Sequence, residues 1–332
     1  MRLPAHLQAL EDEAIAILRE GVATARNPVI LFSAGKDSTV LAELAVRAFH
    51  PGRPPLPLLH IDSTWEFAEL LDFRDRFAER HGFRLLVHAN EAGRAQGLNP
   101  FQHGDRYTTV MRTDALKDAL DEGAFDVVFG GARRDEEVAR AKERVVSLRD
   151  EHHGWEPRRQ RPELWRLYNF EIDRGESLRV YPLSNWTEAD LWLWIVLRRI
   201  ELAPLYLAAE RDVVQRDGAL IAIDDTARMP LAPGERPERA MVRFRTLGCW
   251  PVTGAVHSNA TTLGEVMHET LTASKPAGAG QRRRLPGSPE TRRLLLSRNV
   301  LARSFIRQRQ NTTKGRSSWR SSFLALEAPS GV

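Results

Sequence analysis

The sequence predicts an α/β protein built on a doubly wound, mainly parallel five-stranded sheet with a mixed C-terminal appendage. Three observations predict it. Short apolar runs alternate with longer helical stretches up to about residue 150, the first run ends in a glycine-containing turn, and that turn opens directly into a helix. An open parallel sheet places its ligand crevice at such a junction.

Taken in order, Leu7, Leu10, Ile15, Leu18 and Val22 recur at helical spacing with Glu11, Asp12, Glu13 and Arg19 between them, so residues 4–25 read as an amphipathic helix that Pro28 ends. Val29 to Ser33 is the first expected strand and 37–49 the next helix. Leu56 to Ile61 is a second strand, 65–81 a charged helix, Phe83 to Val87 a third strand, 108–122 a helix and Asp126 to Phe129 a fourth strand. The pattern then loosens into Arg, Pro and Trp-rich sequence, with a fifth short strand at Leu178 to Pro182. Thr187, followed three residues on by Asp190, is a capping arrangement for the helix at Leu191 to Arg199. The expected organisation is an N-terminal helix over 1–27, a nucleotide-binding domain over 28–185, an appendage over 186–274 and a basic tail over 275–332.

At 332 residues and 42% hydrophobic, the chain can bury a large core. Its net charge of +4 is unevenly placed. Residues 275–332 hold 13 Lys or Arg against 2 Asp or Glu, and the preceding residues hold 35 basic against 42 acidic. The body is therefore mildly acidic, and nucleic-acid binding is expected at most weakly, from the tail. No run is long and apolar enough for a membrane span, and the first twenty residues lack the apolar core of a signal peptide. One cysteine, Cys249, permits neither an internal disulfide nor a cysteine-cluster zinc site, and a reducing cytoplasm is the expected setting.

The turn reads Phe32-Ser33-Ala34-Gly35-Lys36-Asp37-Ser38. Gly35 is expected to let the backbone turn, small Ala34 to let a phosphate approach, and the amides from Asp37 onward to form an anion site. Ser33 and Ser38 add hydroxyl donors and Lys36 a compact charge. A Walker A loop needs a glycine where Ile30 stands and Ser or Thr where Asp37 stands, so it fails twice. The Ser-x-Gly-Lys-Asp-Ser pattern instead resembles the PP-loop of ATP pyrophosphatases, of adenine nucleotide alpha-hydrolase-like fold, whose chemistry falls at the α-phosphate. After the second strand, Asp62 can contact a ribose or adenine amine, or cap the helix that follows; His60 reads as a buried, satisfied histidine rather than a ligand.

A second motif, Gly130-Gly131-Ala132-Arg133-Arg134-Asp135-Glu136-Glu137, follows the fourth strand. Taken alone it is a solvated charged face; at a strand end behind a double glycine it offers Arg133 and Arg134 as forked donors to an oxyanion. Gly131 joins the nucleotide-binding set, and Asp37, Asp135 and Glu136 are candidate Mg²⁺ ligands.

This motif, Arg140 to Arg144, Ser184-Asn185-Trp186-Thr187-Glu188, Pro204-Leu205-Tyr206 through Arg211, and Arg243 to Pro251 together resemble the small subunit of heterodimeric bacterial ATP sulfurylase, over about residues 5–272. The resemblance implies a nucleotidyltransferase that converts ATP and sulfate to adenylyl sulfate and pyrophosphate, with Mg²⁺ and no redox cofactor, beside a GTP-hydrolysing large subunit. Lys36, Arg133 and Arg134 are then the candidate catalytic residues. Arg243 and Arg245, alternating with Val242 and Phe244, are candidate phosphate or sulfate ligands or else strand salt bridges. Cys249, among apolar neighbours, reads as an inert thiol, which argues against the related sulfonucleotide reductases. Eight Trp residues read as core or partner contacts, lacking the basic interleaving of a base-stacking surface. The tail departs from the family pattern and reads as a disordered extension; a regulatory RNA-binding chain is the rival from a different class.

Overall fold

The first strand, β1 (Pro28–Leu31), shows why its sequence is apolar throughout: Ile30 joins the core on one face of a sheet, while Val29 joins a second core on the other, with Leu31 against it. A strand buried on both faces has no solvent side to make polar. The computed structural model describes residues 2–136, 142–216 and 218–272; the tail expected from 275 lies outside the described residues.

Before β1 runs α1 (Ala5–Thr24); after it come α2 (Lys36–Phe49), β2 (Leu58–Ile61), α3 (Ala68–His81) and β3 (Leu85–His88). A short α4 (Glu91–Ala95), then α5 (Pro100–Thr108), a π-helical turn (Thr109–Asp114) and α6 (Ala115–Glu122) lead to β4 (Val127–Phe129), β5 (Val146–Arg149) and β6 (Ser177–Val180). All five expected strands form, parallel, in the order β3-β2-β1-β4-β6. The sheet has six strands rather than five, because β5 adds antiparallel to β6 at the edge. The loop that follows supplies its outer bonds: Glu163 accepts from the Val146 amide at 2.8 Å and Gln160 from that of Leu148 at 2.9 Å. Side chains thereby cover a sheet edge that would otherwise present free amides.

Two helices begin elsewhere than expected. The helix read as 65–81 starts at Ala68, whose amide donates 3.0 Å to Asp224, far along the chain, while Glu66 folds back to accept from the amides of Ser63 and Trp65. The helix read as 108–122 is preceded by a further helical segment from Pro100, kinked at Gly104 (φ 43°, ψ −113°), with Asn99 accepting from the Gln102 amide. The α7 helix (Glu188–Arg198) has the expected capping box, with Thr187 and Asp190 bonding each other's backbone. It is fastened to α1 by the buried Glu11, which accepts from Trp194 Nε1 at 2.6 Å and from Arg198 at 2.9 and 2.5 Å.

Beyond α7, strands β7 (Ala209–Arg216), β8 (Ala219–Ala222), β9 (Glu238–Phe244) and β10 (Gly254–His257) close on themselves antiparallel in the order β10-β8-β7-β9, and α8 (Leu263–Thr272) follows. Trp186, Trp192, Trp194 and Trp250 are fully buried, as expected of core residues, whereas Trp165 is 86% exposed. No helix among the described residues is long and apolar enough to cross a membrane.

Candidate active site

The loop from β1 into α2 turns at Ala34, not at Gly35. Ala34 has φ 55°, in the left-handed region, whereas Gly35 is extended at φ −75°, ψ 164°. A Cβ on Gly35 would stand 3.3 Å from Ser33 Oγ, a tight contact with a movable side chain, and 3.6 Å from the Tyr206 hydroxyl, an ordinary one. Ser33 Oγ lies 3.2 Å from Ser38 Oγ, and Ser38 donates to the Gly35 carbonyl at 3.0 Å, closing the loop on itself.

Gly131, past the end of β4, is pressed onto this loop. A Cβ on it would come within 2.9 Å of the Asp37 carbonyl carbon and 3.1 Å of the Ser38 amide nitrogen, so only glycine permits the approach. The approach brings Arg133 over the loop. Arg133 Nε donates to Asp37 Oδ1 at 2.6 Å, Lys36 Nζ reaches Asp37 Oδ2 at 3.0 Å, and Glu188 Oε1 stands 4.0 Å from the same ammonium. Lys36 and Arg133 are each only 4% exposed. Burial alone would raise the Asp37 carboxyl; the charges of Lys36 and Arg133 hold it below the usual carboxylate range. Burial works against the Arg133 charge, and Asp37, with Glu188 and Glu136, more than restores it. One buried donor, Arg133 Nη1, has no hydrogen-bond partner.

The other candidates separate. Arg134 turns away from Arg133, donating to Asn185 at 2.6 Å and approaching Glu163 at 3.5 Å. Asp135 accepts the Glu188 amide at 3.1 Å, at the start of α7, and lies 3.8 Å from Arg133; Glu136 is exposed on the same turn. Asp62 does not cap α3, accepting instead from the Thr64 amide at 2.7 Å and from Arg94 at 3.3 Å. It borders a cavity of about 760 Å³ with Trp65, Asn99, Asp224 and Arg228. His60 is buried with Nδ1 2.9 Å from the Phe32 carbonyl, and burial lowers its pKa. Arg243 is buried in β9 and bound to Glu269 of α8, at 2.9 Å through Nε and 2.8 Å through Nη2; Arg245 is half-buried just after that strand.

Both Asp37 oxygens are taken by cations, Asp135 is engaged by α7, and no group of three His, Cys, Asp or Glu side chains among the described residues is arranged to hold a metal. Tyr206 and Glu188, by contrast, were not singled out from sequence, although both lie in segments that carried the resemblance; neither belongs to a charged or glycine-bearing pattern that marks a site by itself. Cys249 is 2% exposed, its Sγ 3.1 Å from both Ser63 Oγ and the Tyr107 hydroxyl.

A mainly parallel sheet whose first strand opens through a closed serine-lined loop onto two buried cations defines an α/β nucleotide-binding protein of the PP-loop class. Residues 27–255 match the family described as the phosphoadenosine phosphosulfate reductase domain. Sulfate adenylyltransferase subunit 2 2 of Alkalilimnicola ehrlichii is 60% identical over 267 residues, 80% of this chain and 88% of that one. Subunit 2 of Methylorubrum populi is 60% identical over 269 residues, 81% of this chain and 87% of its own. Among solved structures, phosphoadenylyl-sulfate reductase from Candida auris aligns with a TM-score of 0.43 at 17% identity, covering 62% of this chain and 92% of that one. The chain belongs to the sulfate adenylyltransferase subunit 2 family, within the phosphoadenosine phosphosulfate reductase domain family.

Proposed function

We propose that the chain transfers the adenylyl group of ATP to sulfate, releasing pyrophosphate. The observation that carries this reading is its 60% identity, over 80% of its length, to relatives named sulfate adenylyltransferase subunit 2. In the reaction a sulfate oxygen bonds to the α-phosphorus while the bond from that phosphorus to the β-bridging oxygen breaks. Sulfate is already an anion, so no general base is required. The difficulty is repulsion between two anions, and charge builds on the departing pyrophosphate.

Lys36 and Arg133 answer that difficulty. Asp37 holds both cations beside the first turn of α2, and arriving phosphates compete with that carboxylate for charges already in place. Arg134, which follows β4 and bonds Asn185 rather than Asp37, is assigned to the anion's approach rather than to the loop. Magnesium belongs to this reading as part of the ATP substrate, carried on its phosphates. The serine loop with Gly131 is assigned to the polyphosphate and the Asp62 cavity to the nucleoside; Arg243 and Arg245 are assigned to the appendage.

Relatives named as a subunit imply a partner chain. The partner is taken to be a GTP-hydrolysing large subunit in the cytoplasm, since adenylyl sulfate formation is uphill and needs coupling. The segment over 186–274 is proposed to cover the site or meet that partner, with 275–332 accessory. A reductase reading, suggested by the family description, needs a reactive Cys249; the burial of that thiol disfavours it. Pyrophosphate release from ATP, measured with and without sulfate and with and without the large subunit and GTP, tests the proposal: sulfate-dependent release supports it, and none under any condition overturns it.

A further inference from the structure

Tyr206 is remote from the phosphate loop in sequence and closes it in space. It ends a 3-10 turn, Pro204–Tyr206, is 1% exposed, and sets its ring edge-on to Trp192 of α7, with centroids 5.9 Å apart. The Lys36 amide donates to its hydroxyl at 2.8 Å. That amide is the first of the helix-start donors that α2 cannot satisfy internally. Packing against Trp192 would be served by phenylalanine without burying a polar oxygen, so the hydroxyl calls for a reason of its own.

Two features supply one. Burial pushes the phenol above its usual range, so it remains neutral and keeps its proton. Its oxygen accepts from Lys36, yet among the described residues no acceptor takes that proton. Arg133, bound to the other residue of the same dipeptide, Asp37, has no hydrogen-bond partner at Nη1, which lies 3.8 Å from Asp135 Oδ2. Among the described residues, two buried donors without hydrogen-bond acceptors thus flank Lys36 and Asp37, an arrangement that an arriving oxyanion satisfies.

We propose that Tyr206 is a positioning residue that fixes the loop for the polyphosphate of ATP, holding the Lys36 amide and the Ala34 turn, with its own proton directed to a phosphate oxygen. The proposal rests on the loop's assignment to ATP. It predicts selectivity: removing the hydroxyl weakens ligands that carry the β- and γ-phosphates and leaves the nucleoside monophosphate unaffected.

Calorimetric titration of the full chain with Mg·ATP, pyrophosphate and AMP tests this without requiring turnover. In Tyr206→Phe the dissociation constants for ATP and pyrophosphate rise about tenfold, a 1.4 kcal/mol change, while that for AMP stays within about twofold. Trp192→Phe, which disturbs the packing but keeps the hydroxyl, leaves the ATP-to-AMP ratio unchanged. Unaltered ATP binding in Tyr206→Phe, or an equal loss for ATP and AMP, overturns the proposal. Should that variant fold poorly, amide exchange in the parent decides: the Lys36 amide is protected before ATP is added, and exchange at the free-peptide rate overturns the proposal. A parent chain that binds ATP but releases no pyrophosphate overturns the adenylyltransferase reading alone, whereas one that binds no ATP overturns both.

Discussion

Asp37 and Arg133, 96 positions apart in sequence, meet at 2.6 Å across the phosphate loop, and the second oxygen of the same carboxylate holds Lys36. One acid thereby orients two cations, and removing it should leave both buried charges without their partner. Asp37→Asn is expected to lose about 3 kcal/mol of stability in the free chain. Saturating Mg·ATP replaces the missing negative charge, so the rise in melting temperature on adding nucleotide is larger in the variant than in the parent. An equal rise in both would show that phosphates do not take over these cations.

The same carboxylate sets a pH dependence. Although burial works against it, the Lys36 and Arg133 charges hold its folded pKa below that of an ordinary aspartate, so its stabilising contribution is fully present above about pH 4 and is lost as pH falls through the folded value. Urea unfolding of the parent and Asp37→Asn should show a constant gap from pH 5 to 8 that closes on acidification below about pH 4. A gap that instead closed toward neutral pH would assign the wrong sign to the pair.

Gly131→Ala places a methyl 2.9 Å from the loop backbone, where no flexible side chain can yield. The expected cost is about 1–3 kcal/mol, and it should appear as weakened ATP binding by titration, with little change in the far-ultraviolet circular dichroism spectrum. Parent-like ATP affinity would mean that β4 and the loop do not need this contact.

Cys249→Ser keeps a hydroxyl where the thiol meets Ser63 and Tyr107, so sulfate-dependent turnover should remain within about threefold of the parent, after correction for the fraction folded. Complete loss in a folded variant would return the thiol to the chemistry.

Glu11→Ala leaves Arg198 and Trp194 Nε1 without their acceptor between α1 and α7. A loss of about 3 kcal/mol is expected by chemical denaturation, with near-normal ATP affinity at low temperature because the pair lies away from the loop contacts.

Much of this architecture was legible in the sequence because it is encoded locally. Doubly buried strands such as Val29 to Phe32 must be continuously apolar, and Thr187 with Asp190 form their capping box within four residues. The edge strand β5 was not legible, since Glu163 and Gln160 close it from a later loop. The start of α3 was hidden for a similar reason, its first amide being capped by Asp224 from beyond β8. At the site, Lys36, Asp37, Gly131 and Arg133 were readable as a loop and a charged motif, and the structure assembles them. The divergence of Arg134 from Arg133 was not readable, because adjacent residues on a turn point apart in a way that spacing does not record. Arg243 alternates as expected of a strand, but its partner, Glu269, arrives only with α8.

The most direct test of the central claim is sulfate-dependent pyrophosphate release by the chain with its large subunit, GTP and Mg·ATP, in the parent and in Lys36→Ala. The account predicts release that requires sulfate and falls at least about a hundredfold in the variant, while the complex still forms. Release that persists undiminished in Lys36→Ala, or that never depends on sulfate, would contradict it.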